Sequence, residues 1–233
     1  MSSTRLTVPP VRFFIERHHR KRFLNLNHLQ PNQTMKKLIA TFAWIGLTSA
    51  ALAAAEVGKP APDFTGTDIN GKTIKLSDFK NKIVVLESYN SDCPFSANHF
   101  STGAMQELQK EMTGKGVVWL MVNSSNPKSS SYRTPEEAKK EWIAEKINAT
   151  AWLDDSAGTI GKLYGMRTTP HMFVIDQSGT LAYAGAIDDH PFPGGDPRKA
   201  RNYVREAVTK LQAGEKVSVT QTKPYGCAVK YGG

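Results

Sequence analysis

Cysteine is nearly absent from this sequence: Cys93 and Cys227 are the only two in 233 residues. Two cysteines leave room for one structural disulfide or one redox pair, and composition alone does not separate these. No C-x-x-x-C or His-rich spacing occurs. A soft-metal site built from Cys93, His99, His171 and Cys227 therefore lacks the expected pattern, and no metal is predicted. No internal repeat is visible, which excludes a solenoid. The Gly/Pro-rich stretch Pro191 to Pro197 reads as one long loop, not as a linker to a second domain.

Acidic residues are scarce in only one part of the chain. The whole carries a formal charge of +9, but residues 1–55 hold eight of the 30 Lys and Arg and one of the 21 Asp and Glu. The remainder has 22 basic against 20 acidic residues, a net +2, so nucleic-acid binding loses its electrostatic motive. From Met35, two lysines precede an apolar run (Leu38 to Leu52) that ends in Ala53-Ala54-Ala55. That order of charged, apolar and small residues predicts a signal peptide over 35–55, cleaved before Glu56 or, nearly as well, after Ala53. The alternative is a retained membrane anchor, but small residues stand where basic stop-transfer residues would be. No cysteine lies near this site, which excludes a lipid anchor there. Residues 1–34 are basic and without usable periodicity; they are expected to be an upstream extension of a chain that starts at Met35, the alternative being a basic leader or a basic tail for nucleic acid or anionic lipid. The expectation is export to the periplasm or medium, with no stable membrane association after cleavage.

Beyond Glu56 the pattern alternates. Asn70-Gly71 between Thr- and Ile-containing runs signals a hairpin. Lys82 to Tyr89 is a continuous aliphatic run suited to a central buried strand. Met105, Leu108 and Met112 recur at helical spacing, and a second buried strand follows at "GVVWLMVNSS". Thr134-Pro135-Glu136-Glu137 opens a helix with a cap, a proline at its first position and acids in its first turn. A short strand near Trp152, a short helix, a hairpin turning at Ser178-Gly179 and a helix bearing Tyr203, Ala207, Val208 and Leu211 complete the order. This predicts an α/β sandwich with a mixed sheet over 56–213, and a loose tail over 214–233 carrying Cys227.

Cys93 stands where the central strand gives way to a helix, in "NSDCPFS". With Pro94 at the first helical position, Cys93 is the N-cap. There the free N–H groups and the helix dipole favour a thiolate, the nucleophilic form. The competing reading is a buried or structural cysteine. Glu87, an acid inside "VVLESY", is either a half-buried carboxylate able to exchange protons with a thiol or an edge-facing, salt-bridged one. Pro170 in "RTTPHMFVID" suggests a fixed turn before a strand, with a cis or an ordinary trans bond both open. His99 and His190 read as surface or loop residues. The pairs Asp154-Asp155 and Asp188-Asp189 read as turn residues and helix caps.

"VGKPAPDFTGTDINGKTIKLSDFKNKIVVLESY", "NSDCPFS" and "YGMRTTPHMFVIDQSG" together resemble the thioredoxin-fold redoxins of the alkyl-hydroperoxide-reductase/thiol-specific-antioxidant group. The resemblance runs from Val57 to Leu211. It implies a thioredoxin-like three-layer α/β/α sandwich, a cis Thr169-Pro170 bond beside Cys93, a buried acid at Glu87, and a cleft formed by Pro94, Phe95, Ser96, Thr169 and Pro170. Thiol chemistry needs no organic cofactor. The departures narrow the function. Ser96 replaces the second cysteine of C-x-x-C. Leu86 and Asn90 occupy the positions of the proline and peroxide-polarising threonine of peroxiredoxins, with Asn90 or Ser91 the only substitutes at hand. The tail "GCAVKY" supplies Cys227 as a resolving thiol or as half of a permanent staple. Two functions follow: a thiol oxidoreductase acting on a peroxide or a protein or small-molecule disulfide and served by a thiol reductant, or a non-catalytic binding or scaffold domain with a Cys93–Cys227 disulfide.

Overall fold

The structure, a computed structural model, describes residues 54–232. The upstream extension and the predicted signal segment as far as Ala53 lie outside the described residues. No helix among the described residues is long and apolar enough to cross a membrane.

The strands are β1 (Thr65–Asp68), β2 (Thr73–Lys75), β3 (Val84–Ser88), β4 (Val118–Asn123), β5 (Ala151–Asp154), β6 (Thr168–Thr169), β7 (His171–Ile175), β8 (Leu181–Gly185) and β9 (Cys227–Ala228). The helices are α1 (Pro94–Ser101), α2 (Ala104–Gly114), α3 (Pro135–Ala144), α4 (Thr159–Tyr164) and α5 (Tyr203–Gln212). Seven strands form one mixed sheet in the order β2-β1-β5-β4-β3-β7-β8, and β6 and β9 form a separate two-stranded sheet. The central β3 runs parallel to β4 and antiparallel to β7. All five of its residues are buried, as its unbroken apolar run requires of a strand flanked on both edges and covered on both faces.

Alternation along the strands divides the core in two. Val85, Trp119, Met121 and Trp152 meet Met105, Leu108 and Met112 of α2 and Val204, Ala207 and Val208 of α5. Val84, Leu86, Leu120 and Leu153 face the other way, onto Ile160, Leu163 and Tyr164 of α4. The result is the expected three-layer α/β/α sandwich of thioredoxin-like form. Burying one such side chain fully contributes about 1.5–3 kcal/mol, so this two-sided core fixes β3 firmly, and with it the turn that follows.

Local signals hold where they were strong. Thr134 and Glu137 form a reciprocal capping box at the start of α3. Asp155 caps α4, its carboxylate accepting from Ile160 N at 2.9 Å, Gly161 N at 2.8 Å and Ser124 Oγ at 2.6 Å. The stretch after Cys93 breaks into α1 and α2 because Gly103 takes a left-handed φ of 81° and Thr102 Oγ1 bonds back to Asn98 O at 2.7 Å.

The tail, whose sequence reads as loose, is seated on the domain at successive points. Ala186 N donates to Thr222 Oγ1 at 2.8 Å, Val229 N to Arg167 O at 3.1 Å, Asn126 N to Lys230 O at 2.8 Å and Tyr231 Oη to Met166 O at 2.8 Å. The physical reason is that the tail's backbone finds partners on β6 and the loops beside it, which its polar sequence does not reveal.

Candidate active site

Cys93 sits between β3 and α1 in extended conformation, with Pro94 opening the helix as the sequence predicts. Its side chain is fully buried. Its Sγ approaches Thr169 O at 2.8 Å, and Cys227 N donates to it at 3.4 Å. The bond between Thr169 and Pro170 is cis. β9 pairs antiparallel with β6, bringing Cys227 opposite Thr169 and Ala228 opposite Thr168. Thus the two cysteines, far apart in sequence, meet at the cis-proline turn, and both are free thiols.

The two sulfurs are electrostatically unequal. Burial pushes the Cys93 thiol up, but hydrogen bonds from the Cys227 and Thr169 side chains and from the Ser96 and Cys227 backbone bring it below its ordinary value. The contact to Thr169 O is one a thiol makes and a thiolate gives up, while Cys227 N donates to the sulfur in either state. The Cys227 thiol is pushed up to about 11 by burial and by its neighbour Cys93. The site therefore biases the pair toward a thiolate at Cys93 and a proton on Cys227.

Gly226 makes this approach possible. Its φ is 119°, and a Cβ there would lie 2.1 Å from Thr169 O. Gly226→Ala is expected to lift β9 and uncover Cys93. Backbone strain of this kind costs about 1–3 kcal/mol, roughly a 5- to 150-fold change in an opening equilibrium. Iodoacetamide alkylation of Cys93, followed by mass spectrometry, should accelerate by that order. An unchanged rate would mean that reagents reach Cys93 without moving the tail.

The other predicted residues are placed as follows. Pro94 is exposed and Phe95 half-buried, while Ser96 is buried with an unpartnered hydroxyl. Phe95 lies against Tyr225 of the tail, with ring centroids 5.8 Å apart. Glu87 is wholly buried, neither half-exposed nor salt-bridged. Its Oε2 accepts from Trp119 Nε1 at 2.7 Å and Gln109 Nε2 at 3.3 Å, and Oε1 is unpartnered. Burial raises its pKa to about 7, against the lowering effect of those two bonds. Its hydrogen bonds reach Trp119 and Gln109, not Cys93.

Neither substitute for a peroxide-polarising hydroxyl is aimed at the thiol. Ser91 Oγ donates to Glu141 Oε2 at 3.0 Å, and Asn90 Oδ1 accepts from Asp92 N at 2.9 Å. Glu141 also takes the Tyr89 hydroxyl and Arg133 Nε, and Arg133 bridges on to Asp92. This clamp on the turn before Cys93 was missed in the sequence. Arg133 and Glu141 lie some 40–50 positions downstream, in a segment that reads as an ordinary solvated helix.

Two expectations need correction. His99 is buried, not a surface residue, because α1 turns its inner face toward the segment after β8. Asp188 is buried as well and is more than a turn residue: it receives the Tyr225 hydroxyl and lies 3.6 Å from His99 Nε2. His171 is buried on Phe173 with Nδ1 accepting from Arg167 N at 3.3 Å, and burial lowers its pKa to about 4. No group of three or more His, Cys, Asp or Glu among the described residues is arranged to hold a metal.

The model of the AhpC/TSA family matches residues 57–184. Thiol-disulfide oxidoreductase ResA of Bacillus thuringiensis subsp. konkukian (strain 97-27) is 31% identical over 126 residues, covering 54% of this chain and 67% of its own. Peroxiredoxin-2 of Rattus norvegicus is 34% identical over 140 residues, with the same 54% and 67%. The crystal structure of a hypothetical protein, SMc02350 from Sinorhizobium meliloti 1021, superposes with a TM-score of 0.68 at 26% identity. It covers 77% of this chain and 97% of that one. The family match includes Cys93 and Pro170 and stops before Asp188, Tyr225 and Cys227.

Proposed function

The chain belongs to the AhpC/TSA family, and from that premise we propose that it is an oxidoreductase that reduces disulfides by thiol exchange, with Cys93 as nucleophile and Cys227 as resolving thiol. The observation that carries this reading is the contact of Cys227 with Cys93 Sγ at the cis-proline turn, with the two thiols shifted in opposite directions.

In the forward step the Cys93 thiolate attacks one sulfur of a substrate disulfide. A mixed disulfide forms and the other substrate sulfur leaves as a thiolate. Cys227 then loses its proton to the departing group or to solvent and attacks Cys93 Sγ. The second substrate thiol is released and the Cys93–Cys227 disulfide remains. Two electrons have passed to the substrate, and an external thiol reductant must return them. Pro94, Phe95, Ser96, Thr169 and Pro170 frame the place where the substrate disulfide approaches. Glu87, the buried acid whose pKa burial raises to about 7, is the group assigned to proton exchange with the pair. Export through the segment 35–55 belongs to the same reading and rests on its charged, apolar and small-residue order.

Peroxide is the rival oxidant, for which the Cys93 thiolate would take one oxygen and Cys227 would expel water from the sulfenic acid. The commitment of Ser91 and Asn90 to other partners speaks against it. The test is intact mass, with thiols trapped, on the reduced full chain given either oxidised glutathione or stoichiometric peroxide. Rapid closure of Cys93–Cys227 by the disulfide is the expected result. Closure by peroxide alone would replace exchange with peroxidase chemistry. A protein that arrives bridged, resists mild reductant and reacts with neither would leave the scaffold function.

A further inference from the structure

Three groups near the redox pair have no part in the exchange just described. Tyr225 Oη donates to Asp188 Oδ1, and His99 Nε2 lies 3.3 Å from the same Tyr225 oxygen. Tyr225 has one proton and gives it to Asp188. Its oxygen is then an acceptor, which the His99 tautomer protonated at Nε2 satisfies. Asp188 Oδ2, buried and without a hydrogen bond, faces His99 Nε2 at 3.6 Å. Each member is tied closely to the redox centre. His99 belongs to α1, the helix that Cys93 caps, and Asp188 follows β8. Tyr225 precedes Cys227 by two residues.

We infer that Tyr225, Asp188 and His99 form a latch that positions Cys227 on Cys93, making Tyr225 a positioning residue for closure of the disulfide. This rests on the reading of Cys227 as the resolving thiol. Cys93 is fully buried beneath the tail, so a substrate reaches it only when β9 lifts. After the mixed disulfide forms, Cys227 has to return. With the latch closed, the tether to Cys227 starts at Tyr225, two residues away. With it open, and with the Val229 and Tyr231 contacts to Arg167 and Met166 released as β9 lifts, the next anchor is Thr222, held by Ala186 N and Ala184 O, five residues away. Effective concentration falls roughly as the −3/2 power of tether length, about fourfold for this change. Lost orientation adds to that, giving about four- to tenfold overall.

Tyr225→Phe removes only the hydroxyl and keeps the ring that faces Phe95. The full-length reduced protein is mixed with stoichiometric dithiobis-nitrobenzoate and coloured thiolate release is followed by stopped flow. The first equivalent reports attack by Cys93, and the second reports closure by Cys227. The expected result is a second phase slowed about four- to tenfold and a first phase not slowed, with Asp188→Ala, which removes the acceptor, showing the same pattern. In a Cys227→Ser background, which releases one equivalent, Tyr225→Phe should change nothing. A second phase equal to wild type in both variants overturns the latch while leaving the exchange reading standing. Equal slowing of both phases with a fall in Tm also overturns it, since the hydroxyl is then merely structural. Absence of the first phase in the wild type defeats the reading of Cys93 itself.

Discussion

Cys93→Ser protein is expected to lose disulfide-reducing turnover by roughly 10³-fold or more, because a serine hydroxyl does not ionise at neutral pH and cannot form a mixed disulfide. The fold should hardly notice. Serine keeps the donor that faces Thr169 O and the place at the helix start, so the loss is that of one altered buried hydrogen bond, about 1 kcal/mol. For a domain of this size that moves Tm by about 2–4 °C. Cys227→Ser should behave differently: one substrate thiol is released, then the protein stalls as a mixed disulfide on Cys93, visible as a stoichiometric adduct by mass. The scaffold alternative predicts the reverse pattern. A permanent bridge spanning 134 positions would stabilise by roughly 3–5 kcal/mol. Either substitution would then lower Tm by roughly 6–20 °C, with no reactive thiol to lose. Thermal melts of both variants under oxidising conditions, beside turnover, decide between the two.

The sequence declared the parts of this site that rest on local physics. A proline after Cys93 at the end of an apolar run specifies a helix start, and the helix start is there. The β3 run, the Asn70-Gly71 hairpin and the Thr134 capping box were legible for the same reason, since each is set by residues within a few positions. The cis geometry at Pro170 was implied by resemblance, not by the residues themselves. What stayed hidden depends on residues brought together from far along the chain. Nothing about "TKPYGCAVKY" shows that its backbone pairs with Thr168 and Thr169, or that Gly226 is needed for the approach. Burial of His99 and Asp188 is likewise a consequence of the tail and the loop after β8 closing over α1. Single polar residues with no periodic pattern carry no sign of such closure.

Glu87 gives a large pH effect on the stability of the fold. In the folded chain its carboxyl group keeps its proton up to about pH 7, against an ordinary value of 4.5. Between those limits the folded state binds more protons than the unfolded one. Stability from this group is therefore fully present below about 4.5 and is lost as pH rises through about 7. The difference is worth about 3 kcal/mol. Glu87→Gln has the same shape, stays neutral, and can still accept from Trp119 Nε1 through its amide oxygen. The variant should match the wild type near pH 4 and exceed it by up to about 3 kcal/mol near pH 8, by urea unfolding at both. Taking the difference between the two proteins cancels His99, His171 and the surface groups, which titrate alike in each. Parallel stability curves would show that Glu87 is not held as a buried acid. If Glu87 also exchanges protons with the redox pair, the stabler variant should be the slower enzyme near neutral pH, and it should lose the limb of its pH–rate profile near 7. A gain in stability with an unaltered profile would confine Glu87 to the core, where its cost would then be borne for no catalytic return.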